Sequence, residues 1–74
     1  MFQELLKRVA RALEDLVIHK VIAGRARDIE DIKALLVKNP RYDSEYIERW
    51  LQTFDAALGE QFRAVFKRII EELR

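Results

Sequence analysis

The chain has 74 residues, with 14 Lys and Arg, 13 Asp and Glu, one His, two Gly, one Pro and no Cys. A net charge of +1 excludes a strong nonspecific grip on nucleic acid by bulk charge. The lack of Cys excludes a disulfide staple or a Cys-based zinc site, and no run approaches 18 apolar residues, the length needed to span a membrane.

Helical spacing dominates. Phe2, Leu5, Leu6, Val9, Leu13, Leu16 and Val17 follow the i, i+3, i+4, i+7 rule, and no Gly or Pro interrupts the pattern before Gly24. This predicts a first helix over about 2–23, with a break near Glu14-Asp15 as the alternative. Gly24-Arg25-Ala26-Arg27 reads as a tight link. Asp28 is then the expected N-cap of a second helix over 28–38, with Glu30 and Asp31 in its first turn. Asn39-Pro40 stops it. Asp43 or Ser44 caps a third helix over 44–58, whose stripe is Ile47, Trp50, Leu51, Phe54 and Leu58. Gly59 closes it, and Phe62, Val65, Phe66, Ile69 and Leu73 repeat the series in a fourth helix over 60–73. The expected fold is all-α, a single domain of about four helices over 1–74, one long N-terminal helix packed by three shorter ones.

Area scaling for this mass gives an unfolded surface of about 12,800 Å² and a folded one of about 4,800 Å². Such a core is marginal for an isolated monomer, so self-association or a partner is expected to contribute. The first helix shows where. At 100° per residue, Glu4, Lys7, Arg8, Arg11, Glu14 and Asp15 share a polar face, yet Ile18 and Ile22 fall in its middle and Lys20 falls on the opposite, apolar one. Either the later helices wrap around this segment, or Ile18 and Ile22 form a subunit or partner interface.

The stretch Glu14-Asp15-Leu16, Lys20, Ala23-Gly24-Arg25, Arg27-Asp28 and Asp31 resembles a motif of polymerase β-like nucleotidyltransferases, closest to the abortive-infection-toxin branch and its relatives. Tyr46-Ile47-Glu48-Arg49-Trp50-Leu51 and Phe54-Asp55 are similar to the helical tail of those proteins. The resemblance covers roughly residues 14–66. The Gly-Ser turn and the strand-borne paired carboxylates of that family do not occur here. The resemblance therefore implies a C-terminal helical part without its catalytic domain, not an enzyme on its own. It also implies that Lys20 would neutralise a phosphate, with Arg25 and Arg27 beside it, and that Asp28 or Asp31 would orient the phosphate or its metal.

Each of these residues has an ordinary structural use as well. Lys20 reads as a snorkelling lysine whose head pairs with an acid. Asp28 and Asp31 read as capping residues paired with Arg25 or Arg27. His19 reads as a surface histidine, and the aromatic residues Tyr42, Tyr46, Trp50, Phe54, Phe62 and Phe66 read as core. Two Asp on one helix are too few for a metal site, and no cofactor is expected. The first expectation for function is an association module, either a homo-oligomer or a companion of a separate catalytic subunit. The alternative is a nucleotide- or RNA-phosphate-binding accessory module. The acidic start Met1-Phe2-Gln3-Glu4 lacks signal-peptide features, and with zero Cys it suits a cytoplasmic setting.

Overall fold

The computed structural model describes residues 11–74. They form four helices and, among the described residues, no strand: α1 (Ala12–Ala23), α2 (Ala26–Lys38), α3 (Ser44–Leu58) and α4 (Phe62–Glu72). The expected start of the first helix near residue 2, and hence its length, falls outside the described residues. Within them α3 is longest at 15 residues and α1 has 12.

The stops and starts follow from local chemistry. Gly24 and Gly59 both take a left-handed conformation, φ 67° and 66°, and donate their N–H to Lys20 O and Asp55 O, which closes α1 and α3. Asn39 ends α2 by donating both its backbone and side-chain nitrogens to Leu35 O, at 3.0 and 2.9 Å, before Pro40. Asp43 caps α3, its Oδ1 accepting the Tyr46 N–H at 3.0 Å. The other two starts differ from expectation. Arg25, not Asp28, is the N-cap of α2, and Asp28 sits three positions inside, where its carboxylate accepts the Arg25 N–H at 3.3 Å. A carboxylate reaching back from that position caps as well as one at the N-cap itself, so the helix gains two residues. In turn α4 begins at Phe62 rather than residue 60, because Asp55 on α3 accepts the N–H groups of Phe62 and Arg63 at 2.6 and 3.2 Å.

The core draws on all four helices: Val17, Ile18 and Val21 from α1, Ile32 and Leu36 from α2, Ile47 and Leu51 from α3, Phe66 and Ile69 from α4. α1 packs on all three of the others, whereas α2 and α3 make no close backbone approach to each other. The central position of α1 explains its nearly all-round apolar character. It also accounts for Ile18, which is only 5% exposed inside the chain's own core, although Leu16 on the same helix stays 44% exposed. Ile18 nonetheless borders a groove described below. Ile22, one turn on, is half-buried.

Candidate functional site

Two clusters grow from opposite sides of α1. On the α2 side, Lys20 Nζ lies 2.9 Å from Asp31 Oδ2 and 3.8 Å from Asp28 Oδ1. Arg25 Nε lies 2.8 Å from Asp28 Oδ2. Asp28 is buried, and its carboxyl is held below the usual carboxylate range, first by the hydrogen bond from the Arg25 side chain, against a desolvation that works the other way. The structure thus brings together Lys20, Arg25, Asp28 and Asp31, all anticipated as site residues. It joins them as two cations against two carboxylates. Arg27 is exposed and makes no ion pair with another described residue. The Lys20 ammonium already sits on carboxylate oxygens, so an incoming phosphate would have to compete with Asp31 and Asp28 for it.

The α3 side is built differently. Arg11 pairs with Asp43, and its guanidinium lies 4.4 Å over the centre of the Tyr46 ring. Glu14 is 4% exposed; its Oε2 accepts the Asp43 N–H at 2.9 Å, while its Oε1 has no hydrogen-bond partner among the described residues. The Tyr46 hydroxyl donates to Asp15 Oδ1 at 2.7 Å, and this bond, helped by burial, raises the Tyr46 pKa. Asp43 is shifted the other way, lowered chiefly by the Tyr46 N–H and further by Arg11. Residues 11, 14 and 15 of α1 and its N-cap are therefore fastened to 43 and 46 at the start of α3.

Below this fastening lies a groove of about 330 Å³ between α1 and α3, lined by Asp15, Ile18, His19, Ile22, Tyr46, Trp50 and Phe54. Tyr46, Trp50 and Phe54 follow one another at i, i+4, i+8 along α3, with ring centres 6.4 and 6.1 Å apart. Trp50 is 44% exposed. Its assignment to the core is thereby corrected: Ile47 and Leu51 point inward, and Trp50, 100° from Leu51, falls at the edge of the stripe. Leu58, at the last position of α3, is likewise exposed.

The polar end of the groove has a definite sign. His19 Nδ1 lies 2.8 Å from the Asp15 carbonyl oxygen, which can only accept, so Nδ1 carries a proton. In the neutral ring Nε2 is then an acceptor. The Tyr46 hydroxyl spends its proton on Asp15, and Asp15 Oδ2 has no partner among the described residues. Sequence reasoning singled out Ile18 and Ile22 but missed Glu14 as a buried acid and the three-ring ladder. The ladder's i, i+4, i+8 spacing was a usable signal; the burial of Glu14 had none.

Among the described residues, no three or more His, Asp or Glu side chains converge on a point able to hold a metal ion, and no helix is long and apolar enough to cross a membrane. No family model, curated protein or solved structure matches the chain.

Proposed function

We propose that the chain acts by association with another polypeptide, docked in the groove between α1 and α3, and that it has no catalysis of its own. The observation that carries this reading is the half-exposed Trp50, which lines the groove with Ile22 and Phe54 in a chain of 74 residues. Exposed aromatic rings in an apolar groove are a poor use of surface in a small monomer and the usual anchor of an interface. The form that purified chain alone can test is self-association. Light scattering over a hundredfold concentration range should show mass above the monomer at the upper end, and Ile22→Glu should return it to monomer while leaving the helical circular dichroism intact. A monomer at every concentration overturns self-association; an Ile22→Glu variant that associates as well as the parent overturns the groove as the surface.

The phosphate-binding alternative, and with it descent from a nucleotidyltransferase tail, draws support from the presence of Lys20, Arg25 and Arg27 around one turn. It is weakened by the Asp28 and Asp31 carboxylates that already meet Lys20 and Arg25. Binding of a Mg²⁺-nucleotide or short RNA, lost in Lys20→Ala, would restore it.

A further inference from the structure

The groove differs from a plain apolar slot in what its polar end lacks. Its lining residues offer a carboxylate, a phenol oxygen whose proton is already donated, and an imidazole whose proton-bearing nitrogen faces a carbonyl. Among the described residues, no lysine or arginine lines it. Arg11 is paired with Asp43 and lies over the Tyr46 ring without lining the groove. Acceptors therefore gather at one end and aromatic faces fill the rest. Aromatic faces attract cations as well as apolar groups, tryptophan most strongly, and the ladder already holds one cation, Arg11 at 4.4 Å from the Tyr46 centre. An occupant that brings only apolar surface would leave Asp15 Oδ2 desolvated and unmatched, at a cost; one that brings an anion would be repelled.

Building on the association reading, we infer that the groove's occupant is a basic, apolar segment of a partner protein. A lysine or arginine lays its alkyl stem along Trp50, Phe54 and Ile22 and places its charged head at Asp15. An apolar neighbour on the same segment covers the remaining ring surface. Asp15 then supplies the sign of the recognition, and the aromatic ladder supplies the area.

Trp50 is the only tryptophan in the chain, so its emission reports directly on the groove. The test titrates the full chain with a blocked amphipathic helical peptide made of Leu and Lys, and with the same peptide carrying Glu in place of every Lys. The expected result is a saturable shift of Trp50 emission with the Lys peptide, at least about fivefold tighter than with the Glu peptide. Asp15→Asn, whose amide oxygen still accepts from Tyr46, should bring the two peptides to within about twofold of each other. Equal binding of both peptides to the parent chain, lost in Ile22→Glu, overturns the charge selection while sparing the association reading. Unchanged Lys-peptide binding in Asp15→Asn also overturns it. No shift with either peptide up to about 1 mM, an affinity no better than about 4 kcal/mol, overturns both.

Discussion

The two sides of α1 solve the same problem, fastening a helix to its neighbour, in opposite ways. Toward α2, Lys20 and Arg25 meet Asp28 and Asp31, partners three to eleven positions apart in sequence. Each of these four charges has an opposite charge beside it. Toward α3, Arg11, Glu14 and Asp15 reach residues 29 to 32 positions away, and they engage a backbone amide and a phenol as well as a charge. Among the described residues that side leaves one buried oxygen of Glu14 without a partner, an exposed Asp15 carboxylate with one oxygen turned to solvent, and the half-exposed face of Trp50. A junction closed on itself is a structural fitting. A junction with unmet groups and exposed rings is where a second molecule has something to gain.

The largest effect expected on this contrast separates two adjacent residues. Leu51→Ala, which empties a fully buried site on α3, should lower the unfolding free energy by about 2–5 kcal/mol in a denaturant titration. Trp50→Ala should cost about 1 kcal/mol or less and should instead abolish peptide-induced or concentration-dependent association. A Trp50→Ala variant as unstable as Leu51→Ala would make the ring part of the core and erase the distinction.

Next comes Glu14. Glu14→Ala strips the Asp43 N–H of its acceptor in a buried setting, and about 1–3 kcal/mol of stability should go with it. Glu14→Gln, whose amide oxygen can take over that bond, should recover most of the loss, and comparison of the two thermal midpoints decides the matter.

Acid should loosen both sides. Asp28 and Asp43 have folded values below the ordinary carboxylate pKa, so folding favours their charged forms. The stability they contribute is present above about pH 4 and is lost as pH falls through the lowered folded values. The denaturant midpoint should therefore drop below about pH 4, and Asp43→Asn should flatten that slope. A midpoint independent of pH in that range would mean that neither carboxylate is engaged as described.

A smaller effect lies at alkaline pH. The Asp15 bond raises the Tyr46 pKa, so its contribution is complete below the ordinary tyrosine value of about 10 and disappears as pH rises through the higher folded one. In a Tyr42→Phe background, the ultraviolet titration of tyrosinate should move down in Asp15→Asn. Smallest of all, Lys33→Ala removes the α2–α4 pair with Glu72, 2.8 Å long at the surface, and should shift the thermal midpoint least of these changes.

How far the sequence foretold this architecture follows the same division. Helix existence was plain from spacing, and Gly24, Asn39-Pro40, Asp43 and Gly59 stop or cap helices where expected. The Arg25–Asp28 pair was also readable, since the two lie three positions apart, whereas Asp31 was expected to meet Arg25 or Arg27 and instead meets Lys20 across the Gly24 turn. What counting could not supply was long-range identity. Glu14 looked like a member of a solvated face, because nothing in its neighbourhood announces an amide 29 residues away. Asp55 stood out only through the family resemblance, yet it sets where α4 begins. Trp50 sat at the margin of an apolar stripe, where rotation alone does not say whether a neighbouring helix reaches far enough to cover it.

The absence of close approach between α2 and α3 has a kinetic consequence. The described residues form two helical hairpins, α1–α2 and α3–α4, each joining sequence neighbours and each able to form early from local contacts. The expected late event is the meeting of one hairpin with the other, and the expected first event in unfolding is their parting. The Tyr46 ladder and Ile22 lie on either bank of that seam. A partner seated there acts as a splint, so its signature should be a slower unfolding rate with folding speed unchanged.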